Sequence, residues 1–188
     1  MADTAQGASP FRITDGREKG YDREQVDDFL ARARSVFEGA ADESTLTSQE
    51  VRSVSFPLRR HGYDVAGVDA ALARIEDAFA ARERQSGIHD LGAHAWVEQA
   101  RDDAQALLDR VQRPEGMRFD RVGWMHYGYD PRQVDVVADR VRDYLAAGAS
   151  VTVEQIRQSA FRMVRGGYRE TQVDAALDAV IDVMLAVR

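Results

Sequence analysis

KGYDREQVDDFLARA, Lys19 to Ala33, is the stretch on which the reading of this chain turns. Its skeleton returns three times: HGYDVAGVDAALARI from His61, YGYDPRQVDVVADRV from Tyr127 and GGYRETQVDAALDAV from Gly166. The Gly-Tyr pairs are Gly20-Tyr21, Gly62-Tyr63, Gly128-Tyr129 and Gly167-Tyr168. Val-Asp follows each at a fixed offset, as Val26-Asp27, Val68-Asp69, Val134-Asp135 and Val173-Asp174. A phenylalanine lies ten residues before the tyrosine in the first and third copies (Phe11, Phe119) and seven before it in the second and fourth (Phe56, Phe161). The second and fourth copies also share an upstream signal, TSQEVR and TVEQIR. A fixed-phase repeat of this kind reads as a duplicated pair, A-B then A′-B′.

The local chemistry is that of a helix start. Asp22 suits an N-cap, because its carboxylate can accept from the free N–H groups of the first turn. Gln25 stands where a capping box places Glu or Gln, and Tyr21 and Val26 have the spacing of a hydrophobic staple. Asp64 and Asp130 repeat the cap, and Pro131 fits a first helical position. The glycine before each tyrosine permits a sharp reversal or a close backbone approach. Two copies depart, with Gly67 in place of the glutamine and Arg169 in place of the cap aspartate. The aspartate after each valine either favours the positive helix N-terminus or pairs with an arginine across an interface.

Apolar residues then recur with helical spacing. One stripe is Val26, Phe29, Leu30, Ala33 and Phe37, a second Val68, Ala71, Leu72, Ile75 and Phe79. The later copies give Val134, Val137, Val141, Tyr144 and Leu145, then Val173, Ala176, Leu177, Val180, Met184 and Leu185. Thr47 with Glu50 and Thr152 with Gln155 mark two short helices by their capping boxes. FRITDGREKG and FDRVGWMHYG, at the same place in the A copies, read as loop or one irregular turn. Residues 88–114 match no repeat but carry a stripe of Ala104, Leu107, Leu108 and Val111, with QSG before and RPEG after as breaks. The expected fold is all-α: four long helices, two short ones and a connecting helix. Its expected parts are a flexible tail over 1–9, a repeat pair over 10–87, the connecting helix over 88–114 and a second pair over 115–188.

The skeleton resembles the DivIVA domain, the N-terminal module of bacterial division-site and cell-pole proteins. That module reads Leu-Thr-Pro-x-x-Ile, then Phe, then Arg-Gly-Tyr-Asp-x-x-x-Val-Asp-x-Phe-Leu. LTSQEVRSVSFPLRRHGYDVAGVDAAL, Leu46 to Leu72, follows it nearly throughout, VTVEQIRQSAFRMVRGGYRETQVDAAL closely, and GYDREQVDDFL matches its core. The resemblance implies a short helix, a loop and a long helix per module, modules that pair with their loops crossing, and loop tips that touch anionic membrane through an apolar residue and an arginine. It implies protein partners in the division or polar-growth machinery, and leaves self-association and membrane contact open. The family's long coiled coil is missing, since the helices are expected to end within about four or five turns of ~3.6 residues. Tandem copies are therefore expected to pair within the chain, A with B and A′ with B′, burying stripes that neither copy could bury alone.

Before Gly-Tyr stand Glu18-Lys19, Arg60-His61, His126-Tyr127 and Arg165-Gly166, so GWMHYGY, Gly123 to Tyr129, is the one aromatic and apolar tip. The contact candidates are accordingly Arg59, Arg60, His61, Arg162 and Arg165, with Trp124, Met125 and Tyr127. The expected role is a non-catalytic adaptor. The alternative is attachment to a membrane surface, with the aromatic residues at the interface and arginines on headgroups.

Composition narrows the other classes. The 188 residues include no cysteine, so neither disulfides nor thiolate metal sites arise, and no apolar run nears the ~18 residues of a membrane span. The start MADTAQGASP lacks a signal-peptide core, which makes the cytoplasm the expected compartment, with pole or septum implied by the resemblance. A net charge of -7, with basic residues interleaved among acids as in RARSVFEGAADE, speaks against nucleic acid. His89 and His94 are five apart and would not share a helix face. No phosphate loop, nucleophile elbow or H-E-x-x-H motif is present, so neither catalysis nor a cofactor is expected.

Overall fold

The computed structural model describes residues 10–39 and 46–187; the tail expected over 1–9 lies outside them. In chain order the elements are β1 (Lys19–Tyr21), α1 (Arg23–Phe37), α2 (Ser48–Ser53), β2 (Leu58–Arg60), α3 (Val65–Leu91), α4 (Ala93–Val111), β3 (Tyr127–Tyr129), α5 (Pro131–Ala147), α6 (Val153–Arg157), β4 (Met163–Arg165) and α7 (Glu170–Ala186). The chain is mostly helical, with two small two-stranded antiparallel sheets, β1-β2 and β3-β4. It divides into two compact units, one up to Glu83 and one from Arg84 onward, the boundary falling inside α3.

In the first unit, Asp22 caps α1 by accepting from the Gln25 N–H, and Asp64 accepts from the Gly67 N–H at 2.9 Å. The Thr47–Glu50 capping box opens α2 with both of its bonds present. Glu83 of α3 then accepts from the backbone N–H and the hydroxyl of Ser48, at 2.7 and 2.6 Å, pinning α2 onto α3. Gly20 and Gly62 meet where the two Gly-Tyr segments cross. The N–H of Tyr21 donates to the carbonyl of Tyr63 and the N–H of Tyr63 to the carbonyl of Tyr21, both at 2.9 Å. A Cβ on Gly20 would lie 2.1 Å from the Tyr63 carbonyl oxygen, so no larger residue fits the crossing. Val26 and Val68 pack beneath it with Phe56 and Tyr63, and Phe11 sets its ring edge-on to Tyr63. A second cluster, Ala33, Leu46, Val51 and Phe79, joins the later part of α1 and the middle of α3 to α2. Arg52 and Glu76 form a pair at 2.8 Å with both side chains buried.

The second unit repeats the crossing. The Tyr129 N–H donates to Tyr168 at 3.0 Å and the Tyr168 N–H to Tyr129 at 2.8 Å, and a Cβ on Gly128 or Gly167 would strike the facing backbone. Phe119, Val134, Tyr168, Val173 and Ala176 form its core, and the valines at the helix starts, each buried, are worth about 1.5–3 kcal/mol apiece. Asp130 caps α5 with Pro131 in the first turn, the Thr152–Gln155 capping box opens α6, and α7 begins at Arg169 with no side-chain cap. The helix α4 packs on α5 and α7, with Leu107 and Val111 buried.

Four expectations need correction. The Gly-Tyr segments read as loop pair with strand partners, because the crossing holds them extended side by side. QSG does not break the chain: Gln85, Ser86 and Gly87 lie inside α3, which runs 27 residues and so exceeds four or five turns. The break falls at Gly92, whose φ of 84° only glycine adopts readily. Gly87 is instead a contact, since a Cβ there would lie 2.2 Å from the ring of Trp96 on α4. Finally, Gln133, at the capping-box place of the third copy, does not fold back on its cap, and its counterpart Gln172, which follows the uncapped Arg169, reaches across as well. Gln133 accepts from the Arg162 N–H at 2.7 Å, and Gln172 accepts from the Asp120 N–H at 2.9 Å, each on the other copy's segment.

Candidate functional site

The aspartate after each valine meets neither a free helix terminus nor, in the main, an arginine. It holds the tyrosine of the other copy. The Tyr63 hydroxyl donates to Asp27 at 3.1 Å and the Tyr168 hydroxyl to Asp135 at 3.1 Å. Tyr21 is likewise held by Asp69, and Tyr129 by Asp174. Burial, followed by the neighbouring aspartate charge, raises the phenols of Tyr21 and Tyr129 above their ordinary value of 10. Burial also raises the Asp174 carboxyl above 3.8, with Asp178 adding to the effect and the Tyr129 bond opposing it. Asp135 is the most heavily used of the four. Besides Tyr168 it accepts from the Gly116 N–H at 2.7 Å and stands 3.8 Å from the buried Arg118, which meets the arginine expectation at this position. Arg118 also reaches Asp139 at 2.6 Å, which fixes the approach from α4 to Phe119.

These clasps make rigid bases for the segments before each Gly-Tyr, where the contact candidates sit. In the second unit the His126 N–H donates to Gly123 at 2.8 Å, closing a turn whose two central residues are Trp124 and Met125. The Gly166 N–H donates to His126, and the Val122 N–H to Gly167. Arg121 braces the rear of the tip through the Gly116 and Gly166 carbonyls. With the backbone so occupied, the side chains point outward. Trp124 is 77% exposed, Met125 65% and Tyr127 54%. Arg165 lies over the Tyr127 ring at 5.7 Å, and Arg162 stands 3.6 Å from the cap carboxylate of Asp130.

The first unit presents a different tip. Lys19 faces Arg60 across the β1-β2 pair, Gly20 faces Arg59, and Tyr21 faces Leu58. Arg59 is drawn to the cap carboxylate of Asp22 at 3.2 Å. His61 turns the chain with a φ of 56°, where the second unit has Gly166 at 64°. Arg59, Arg60 and His61 are all exposed. An open groove beside them is also lined by the cap residue Asp22 and by Arg23, Glu24, Asp27 and Asp28 of α1.

Sequence reasoning missed Met163 and Leu58, the exposed apolar residues that the strand registers set opposite Tyr129 and Tyr21. Their common signal is the position five residues before the tyrosine of the second Gly-Tyr pair in each unit, Tyr63 and Tyr168. His89 and His94 fall on either side of the Gly92 break, and among the described residues no group of three His, Asp or Glu could hold a metal ion. No described helix is long and apolar enough to cross a membrane. Set against protein-family models, curated proteins and solved structures, the chain matches none.

Proposed function

We propose that the chain is a non-catalytic interaction module made of four DivIVA-like copies, paired within the chain as A with B and A′ with B′. It would act as an adaptor whose loop tips are its contact surfaces. The reciprocal Tyr–Tyr backbone bonds and Tyr–Asp clasps support the pairing, since each copy supplies what the other lacks. A single observation carries the adaptor reading: Trp124, Met125 and Tyr127 stand exposed at a tip closed by the bond from the His126 N–H to the Gly123 carbonyl. Exposed clusters of this kind mark contact sites rather than core. A place in the division or polar-growth apparatus, and a cytoplasmic location, rest on the motif resemblance and composition.

Attachment to an anionic membrane surface is the second reading, favoured by one further observation. Residues 121–129 and 159–168 contain Arg121, Arg162 and Arg165 but no carboxylate, in a chain of net charge -7. Aromatic residues and arginines together supply the two signals that stable attachment needs.

Flotation with phosphatidylglycerol vesicles, with tryptophan emission recorded for wild type and Trp124→Phe, separates the two. Flotation with a blue shift that disappears in the variant selects the membrane. The adaptor reading expects no flotation and a fluorescent fusion of the full chain, focused in cells, that becomes diffuse on Trp124→Ala. A diffuse wild-type fusion together with no flotation would sink both.

A further inference from the structure

We infer that the first unit's tip, around Lys19 and Arg60, is a separate docking site for an acidic segment of a partner protein. This rests on reading the tips as contact surfaces, but on different residues from the aromatic tip.

The observation is a local rule broken without structural return. Lys19 and Arg60 are directly opposed on neighbouring strands, on the same sheet face as the exposed Leu58. Like charges so placed destabilise a strand pair. Neither has a carboxylate at ion-pair distance among the described residues, whereas Arg59 has Asp22 and Arg12 has Asp64. The next residue, His61, is the one non-glycine among the described residues with a positive φ, a conformation that glycine fills at the matching place in the second unit. At that place Arg165 also faces Tyr127 and lies over its ring, which removes the repulsion. Strain and repulsion kept together on an exposed turn are features of a binding surface.

Charge chooses the occupant. Two unpaired cations with an apolar neighbour fit carboxylates on a chain with intervening apolar residues. Besides Arg60, the groove is lined by four carboxylates, Asp22, Glu24, Asp27 and Asp28, against two further cations, Arg23 and Arg59, and a flat anionic bilayer would meet those carboxylates with repulsion. A narrow peptide can reach Lys19 and Arg60 while leaving that acidic wall to solvent. The tip also lacks the tryptophan that the other presents.

The test is fluorescence anisotropy of a fluorescein-labelled hexaglutamate peptide at low ionic strength, on the full chain. Arg60→Thr should weaken binding about fivefold, and Lys19→Thr with Arg60→Thr further, as expected for exposed charge pairs. Arg165→Thr on the other tip should leave binding unchanged, as should Trp124→Ala, so this inference and the aromatic-tip reading fail separately. Circular dichroism checks that each variant folds. Absence of wild-type binding, or an equal loss from Arg165→Thr, would overturn the inference. So would phosphatidylglycerol vesicles held through Arg60 while the peptide is ignored.

Discussion

At the scale of single residues, each Tyr–Asp clasp joins a phenol to a carboxylate on the other copy, at 3.1 Å for both Tyr63–Asp27 and Tyr168–Asp135. Tyr168 is fully buried and Asp135 nearly so, so the bond has no solvent to replace it. Tyr168→Phe is expected to cost about 1.5–3 kcal/mol, the usual worth of a hydrogen bond to a charged group. Asp135→Ala should cost more than Tyr168→Phe, because it strands both the Tyr168 hydroxyl and the Gly116 N–H, while Arg118 keeps Asp139. A urea double-mutant cycle should return a coupling between the two positions, and additive losses would dissolve the clasp. Asp174 carries a pH signature of its own. Its carboxyl is raised in the folded state, so its contribution to stability is fully present below 3.8 and is lost as pH rises through the raised value. Asp64, lowered by the Arg12 bond and then by the Gly67 N–H, has the opposite sign and loses its contribution as pH falls. Asp174→Asn should therefore match or exceed wild-type stability at pH 7 and lose that standing near pH 3, read by urea unfolding at both values.

At the scale of elements, the caps and stripes were legible because they are local. Asp22, Asp130, Thr47 and Thr152 cap where their spacing places them. The end of α3 was not legible, because Gly87 looks like a breaker until Trp96 is seen against it. Its role reverses the usual rule for a helical glycine. Gly→Ala in a helix interior ordinarily stabilises by about 1 kcal/mol. Here Gly87→Ala is expected to lower the melting temperature, because the new methyl would displace the indole, whose N–H also reaches the Ala186 carbonyl at 3.5 Å. A stability equal to or above wild type would mean that α4 does not need this contact. Gln133 and Gln172 show the same limit. Gln133 stands where a capping box asks and Gln172 follows the uncapped Arg169, yet each side chain accepts from the N–H of a partner segment instead.

At the scale of the whole molecule, the two units carry separate cores and separate glycine crossings. Both tryptophans, Trp96 and Trp124, belong to the second unit. Gly20→Ala should therefore remove helical circular dichroism from the first unit while the tryptophan unfolding transition persists. Gly128→Ala should remove that transition. In each case the Cβ would meet a carbonyl oxygen at close to 2 Å, 2.1 Å for Gly20 and 2.2 Å for Gly128, and a cost above about 4 kcal/mol is reasonable for so rigid an obstacle. Loss of the tryptophan transition in Gly20→Ala would instead reveal one cooperative molecule.

The helix starts, the apolar stripes, the two-fold duplication of a pattern and the residue types at each tip are legible in the sequence, because all of these depend on spacing along one chain. Only the tertiary structure decided the partner of each aspartate, the strand pairing at the crossings, the length of α3 and the outward direction of Trp124. Each of these depends on what another segment brings within 3–4 Å. The sequence offered Asp27 and Asp135 a helix terminus or an arginine. The fold brought a tyrosine hydroxyl to both, because crossing backbones at paired glycines leave each tyrosine pointing into the other copy's first helical turn.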